Sequence, residues 1–377
     1  MIYLDNSATT QPDPEVLKTF QTVSTNFFAN PSSIHSAGSE VEKLFNKARE
    51  QIATILKVNR EEIIFTSGGT ESNNLAIKGI AYEHKNRGHH IITTQIEHPA
   101  VLQVCKQLED EGFKVTYLPV DKYGMIDMDE LKQAITDETI LVTIMHVNNE
   151  IGSIQPIEEI AKHLKQYPKI MFHTDHVQGY GKIPLPYHVD GLDLVSISGH
   201  KIHGLKGTGC LIKKRHVTLQ PLFQGGSQED AVRPGTENVA GIVSLAKAMR
   251  LMHENQSSYS RLNNLHQKLY QKLEKFDWTI INSSKNGAAH IFNFSIPGFK
   301  PEVLIHALGE KDIFVSTKSA CSSKQNEPSH VLMACGKDLE ASAAIRVSMN
   351  LDQDEHDIDQ FIEALVQIVE QYENIMG

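Results

Sequence analysis

The chain has 377 residues, 40% of them hydrophobic and 22% charged, which is ordinary for a globular protein but longer than one hydrophobic core organises, so two domains are expected. No apolar run approaches the ~20 residues of a membrane span, and the net charge of −10 argues against direct binding of nucleic acid. Cys105, Cys210, Cys321 and Cys335 have no paired close spacing, the 19 histidines match no metal motif, and Met1 to Asp5 lacks the features of a secretory signal; a disulfide framework and a metal are not expected, and the cytoplasm is.

Residues 5–10 form a small polar loop, and Pro12 and Pro14 hold off any helix until about Glu15. Residues 30–35 are a second polar loop. From Ser39 the apolar set Val41, Leu44, Phe45, Ala48, Ile52, Ile55 and Leu56 keeps helical spacing, and Ser39 followed by Glu42 predicts a capping box. A strand over 62–66 then leads through Ser67-Gly68-Gly69-Thr70 into an apolar-periodic helix. That order offers a helix N-terminus to a phosphate, although it also fits an ordinary capped turn. It is neither a P-loop nor G-x-G-x-x-G, so no nucleotide is implied.

The alternation continues with a strand over 91–94, a helix entered at Pro99, a strand over 115–119 and a short helix over 128–135. Residues 140–145 are the most strand-like run and end before Asn148 and Asn149. A helix over 157–165 precedes a strand over 170–173, with Asp175 and Gln178 just beyond it. A strand over 192–195 leads into Ser196-Ile197-Ser198-Gly199-His200-Lys201, and 210–212 forms the next short strand. Strands alternating with helices over some 200 residues predict an α/β fold with a mostly parallel, helix-covered sheet. In such sheets ligands sit at the carboxyl ends of the strands. Thr70, His98, Asn149, Asp175, Gln178 and Lys201 all fall there.

Residues 225–238 are a polar, turn-rich break, followed by helical patterns over 239–253 and 258–276. Strands over 289–295 and 314–315 then mix with helices over 302–308 and 356–373, which predicts a smaller α+β domain. The boundary falls at 255–258, giving a large domain over 15–255 and a small one from 1–14 and 256–377.

The chemistry assembled at the strand ends suits pyridoxal phosphate. That cofactor needs an amine for a Schiff base, a carboxylate to keep the pyridine nitrogen protonated, phosphate donors and a stacking group. Lys201, between small hydroxyl residues and a histidine, suits the first role, since partial burial favours its neutral amine. Asp175, the loops of Thr70 and of Ser198 and His200, and His98 suit the others. Singly each has an ordinary explanation: a loop lysine, a helix cap, a core histidine. Together those explanations fail.

The chain resembles the cysteine desulfurases, within the class V aminotransferase group of fold-type I pyridoxal-phosphate enzymes. The resemblance runs nearly end to end through YLDNSATT (3–10), NPSSIH (30–35), TSGGTESNN (66–74), EHPAV (97–101), NNEIG (148–152), SGHKIHGLKG (198–207), RPGTENV (233–239), SACSS (319–323) and IRVS (345–348). It implies that Lys201 binds the cofactor, Asp175 meets the pyridine nitrogen, and His98 stacks on the ring and moves protons. It assigns Gln178 to the ring hydroxyl, Asn149 to cofactor and substrate, and Gly69, Thr70, Ser198 and His200 to the phosphate. Thr236 is assigned to the phosphate of a neighbouring subunit in a homodimer, and Arg346 to the carboxylate of L-cysteine. Cys321 becomes the nucleophile that takes the substrate sulfur as a persulfide and passes it to a protein acceptor, an iron–sulfur scaffold or a tRNA-thiolating enzyme. Cys105, Cys210 and Cys335 read as buried, inert residues.

Two positions depart from the commoner pattern. Thr317-Lys318 stands where Ser-Gly is usual, which makes the Cys321 loop more basic and bears on acceptor choice. His176 stands where a small residue is commoner. Two rivals remain at this level: a selenocysteine lyase or other class V lyase, which product analysis separates, and an inactive sulfur-carrier scaffold, which bound cofactor would exclude.

Overall fold

The computed structural model describes residues 1–317 and 328–376. After β1 (Ile2–Tyr3), the strands β2 (Ile63–Thr66), β3 (His90–Thr94), β4 (Lys114–Leu118), β5 (Thr139–Thr143), β6 (Met171–Asp175), β7 (Leu194–Ser198) and β8 (Gly209–Lys213) follow in the chain. The last seven form one sheet in the order β2-β8-β7-β6-β5-β3-β4. Pairing is parallel from β7 across to β4, and β8 runs antiparallel to both β2 and β7.

Strands buried on both faces need apolar side chains at successive positions, and alternate residues then serve opposite layers. Ile63, Phe65, Ile92, Val142, Phe172, Val195 and Ile212 point into one layer of the core. Their neighbours Ile64, Ile91, Leu141, Met171, Leu194 and Leu211 point into the other. The helices Gly69–His84 and Pro99–Asp110 cover the second face with Leu75, Ile77, Ile80, Val104 and Leu108. The helices Ser36–Leu56 and Val239–Glu254 contribute to the first.

The expected capping box at Ser39 does not form. The helix begins at Ser36, and the His35 imidazole Nδ1 accepts from the Gly38 amide at 3.1 Å. Packing decides this: a Cβ at Gly38 would stand 2.3 Å from the Ser33 carbonyl oxygen, so the polar loop is drawn tight under the first turn and supplies the cap.

Towards the C-terminus come β9 (Ile280–Ile281), β10 (Ile291–Ser295), β11 (Ile313–Phe314) and β12 (Ala344–Ser348). An antiparallel sheet orders these as β12-β10-β9, while β11 pairs with β1 in parallel. The strand β12 was not expected; its five residues are too few to show a period, and Arg346 interrupts the apolar run. A helix over Glu355–Met376 follows. The chain's beginning is tied to β12, because the Asn6 side-chain amide donates to the Ser348 carbonyl at 3.0 Å and Asp5 forms a bridge to Ser348. No helix among the described residues is long and apolar enough to cross a membrane.

Candidate active site

A cavity of about 160 Å³ opens at the carboxyl edge of the large sheet. Gly69, Thr70, His98, Asn149, Asp175, Gln178, Ser198, His200, Lys201 and Arg346 line it, with Ser7, Ala8, Asn73, Met145 and Val177. All but two of the residues singled out from sequence therefore meet in one place. Thr236 is exposed and is not among the lining residues of this cavity, and Cys321 lies outside the described residues.

Strand ends explain the convergence. Asp175 closes β6, and Ser198 closes β7 and opens the short turn Gly199–Lys201 that carries the lysine. The Lys201 amine donates to the Ser7 carbonyl at 2.5 Å and the Ala8 carbonyl at 2.6 Å. The N-terminal loop is thus folded over the lysine, and Thr10 donates through its amide and its hydroxyl to the His200 carbonyl, both at 2.9 Å. One further lysine was missed by the sequence reading: Lys182 donates to the Lys201 carbonyl at 3.2 Å, and burial pushes its pKa down to about 8.

Asp175 is buried and oriented from two sides. One carboxylate oxygen accepts from the Asn73 amide at 2.7 Å, and the other from the Val177 backbone at 3.0 Å. Asn73 was missed as well; its place in TSGGTESNN, one turn into the helix, was its local signal. His98 caps the helix Pro99–Asp110, its Nδ1 accepting from the Ala100 amide at 3.1 Å. Burial holds its pKa below the usual value, with the Asp175 carboxylate opposing, so the ring is neutral near pH 7 and carries its proton on Nε2. His200 is likewise kept neutral: burial first, then Lys201 and Lys206, push it to about 4. Beside His98, the buried Glu97 accepts from the Thr94 hydroxyl at 2.8 Å and from the Met145 amide at 2.9 and 3.1 Å. It ties the turn before His98 to the segment after β5, and burial raises its pKa to about 8.

Arg346 projects from β12 and is 1% exposed. Its Nη1 donates to the Asn149 carbonyl at 3.0 Å and its Nη2 to Asp5 at 2.9 Å, while Nε is buried without a partner among the described residues.

The lining suits pyridoxal phosphate. The Ser198 hydroxyl and the side-chain oxygen of Gln178 are buried with no hydrogen-bond partner among the described residues, as groups awaiting a polar ligand are. The helix Gly69–His84 starts from Gly68, which gives no side-chain cap and has φ +144°, so its first amides remain available to a phosphate. A Cβ at Gly69 would stand 2.8 Å from a Val177 methyl, so that approach requires glycine. The carboxylate of Asp175, the ring of His98 and the amine of Lys201 complete the donor set.

The three described cysteines offer no nucleophile. Cys105, Cys210 and Cys335 are all buried, and burial raises the first two to about 12 and the third to about 11.

The family model for aminotransferase class V matches residues 2–361. The chain is 45% identical over 376 residues to the cysteine desulfurase IscS of Clostridium botulinum, covering 98% of this chain and 94% of that protein. Identity to the cysteine desulfurase IscS of Methanosarcina thermophila is 45% over 377 residues, covering 99% and 93%. Among solved structures, a NifS-like protein superposes with a TM-score of 0.92 at 37% identity, over 98% of this chain and 99% of that one. A NifS-like protein from Rickettsia africae gives 0.87 at 34% identity, over 98% and 99%. With a family model matched over nearly the whole chain, near-complete alignment to cysteine desulfurases and a shared fold, this chain, whose lysine, aspartate and histidine meet at one sheet edge, belongs to the class V aminotransferase family and stands among its cysteine desulfurases.

Proposed function

We propose that the cavity binds pyridoxal phosphate and L-cysteine and that the chain converts cysteine to alanine, moving the sulfur to Cys321. The observation that carries this is the convergence of Lys201, Asp175, His98 and Arg346 on one buried cavity. When bound, the cofactor supplies an electron sink for the substrate carbons. Lys201 would hold it and take the α-proton. Asp175, fixed by Asn73 and Val177, would serve the pyridine nitrogen. His98 would stack on the ring, with its Nε2–H as a proton donor. Ser198, His200, Thr70 and the helix amides at Gly69 hold the phosphate, and Gln178 and Asn149 orient the ring and the substrate. Arg346 takes the carboxylate through its guanidinium edge.

In the sulfur step the Cys321 thiolate attacks the substrate sulfur. A sulfur–sulfur bond forms, the carbon–sulfur bond breaks with its electron pair left on carbon, a proton is delivered to that carbon, and return of the α-proton from Lys201 completes alanine. The persulfide then goes to a protein acceptor serving iron–sulfur assembly or tRNA thiolation. We read the enzyme as a cytoplasmic homodimer in which the exposed Thr236 reaches the neighbouring subunit's phosphate site. The division into 15–255 and 1–14 with 256–377 is supported by the pairing of β1 with β11, which joins the first residues to the last part of the chain.

The test is Cys321→Ser beside Cys335→Ser, with alanine release and protein-bound sulfur measured by mass spectrometry. Cys321→Ser is expected to bind cofactor and cysteine, yet to release no alanine and carry no persulfide. Cys335→Ser is expected to be nearly normal, because its thiol is buried and protonated. A persulfide on Cys335, or undiminished alanine from Cys321→Ser, overturns the assignment.

A further inference from the structure

Arg346 is held in an unequal way. Of its three nitrogens, Nη1 is committed to the Asn149 carbonyl and Nη2 to the Asp5 carboxylate, while Nε is buried and unpartnered among the described residues. A guanidinium has five N–H donors in a fixed plane, so Nε and the second hydrogen of Nη2 form an edge that two contacts leave open. Asp5 is brought there by the backbone: its bridge to Ser348, two residues beyond Arg346 on β12, fixes their side chains beside one another. The ion pair is nearly sealed from water, with the Arg346 side chain 1% and the Asp5 side chain 21% exposed.

We propose that Asp5 is a specificity-determining residue for the substrate carboxylate, sharing the Arg346 guanidinium with it and thereby weakening its hold. This rests on the reading of Arg346 as the carboxylate-binding residue. Two effects follow from the geometry. The hydrogen bond to Asp5 pins the plane of the guanidinium, so a carboxylate meets a preformed edge. The negative charge of Asp5 also lies within one guanidinium width of the incoming carboxylate, and it offsets much of the attraction that a buried, uncompensated arginine would exert. The site therefore grips a monocarboxylate firmly enough to orient it and loosely enough to release alanine, and it repels a second carboxylate on the same ligand.

Asp5→Asn separates the two effects, because the amide keeps an oxygen acceptor for Nη2 and removes only the charge. The probe is propionate, a carboxylate with neither amine nor thiol, titrated calorimetrically into the holoenzyme. Asp5→Asn is expected to bind propionate about tenfold more tightly than the natural protein, with KM for cysteine lowered and kcat not raised. Asp5→Glu, which restores the charge, is expected to return propionate affinity to within about threefold of the natural protein, as charge is then the determinant. Arg346→Gln is expected to abolish propionate binding. If Arg346→Gln binds propionate normally, the reading of Arg346 falls and this proposal with it. If Arg346→Gln loses binding while a folded Asp5→Asn is unchanged or weaker, Arg346 stands and the role of Asp5 is overturned.

Discussion

Glu97 shows how much can hang on one protonation state. Its carboxyl group is fully buried beside His98 and has a pKa near 8, so at pH 7 it is mostly neutral while still accepting from Thr94 and Met145. Glu97→Gln preserves the shape and an acceptor, and is expected to keep kcat within a few-fold of the natural value at pH 7. Glu97→Ala strands the buried Met145 amide and is expected to cost about 1–3 kcal/mol of stability, read as a lower denaturation midpoint, with kcat reduced through the displaced His98. Equal behaviour of the two variants would remove this role. At this scale the sequence was informative where a residue ends a strand or follows its end, as for Asp175, Lys201 and His98. It assigned no role to Glu97, Asn73, Lys182 or Asp5, whose roles come from partners 48, 102, 19 and 341 positions away. No local pattern encodes such a pairing.

At the scale of elements, long periodic segments were legible and short ones were not. The helices Pro99–Asp110 and Val239–Glu254 and the strands β5 and β6 lie within a few residues of expectation, since two-sided burial writes continuous apolar runs into the chain. The five residues of β12 gave no period, and the start of the helix Ser36–Leu56 was decided by the loop beneath it. Two glycines make that packing testable. Gly38→Ala places a methyl group against the backbone of Ser33, so the loop must move, and a loss of about 1–3 kcal/mol is expected in denaturant unfolding. At Gly309, which ends the helix Pro301–Gly309, a methyl group meets nothing within 4 Å, and Gly309→Ala is expected to stabilise by about 0.5–1 kcal/mol. A smaller effect from Gly38→Ala than from Gly309→Ala would contradict the tight loop.

For the molecule as a whole, buried neutral histidines set an acid limit. His146 and His173 have pKa values lowered by burial to about 4 and about 3, against 6.5 for the free side chain. The unfolded chain takes up their protons as pH falls below 6.5 while the folded chain does not, so stability drops through that window until the folded values are reached. Each contributes about 1.4 kcal/mol per pH unit within it. The expected result is a steep fall in unfolding free energy from pH 6.5 to 4, shallower in His146→Asn; a wild-type profile flat over that range would refute it. The fold class and the location of the cavity were legible because alternating strands and helices bring strand ends together at one edge. What binds the two ends of the chain into that edge was not. Ser7 and Ala8 hold Lys201, and Asp5 holds Arg346, so the site joins residues 5–8 to residues 201 and 346. On a ribosome the lysine emerges long before the arginine, and the N-terminal loop waits for β12 as its anchor. The complete cavity therefore forms only once β12 has been made, and a nascent chain halted before Ala344 is expected to expose an unfinished site.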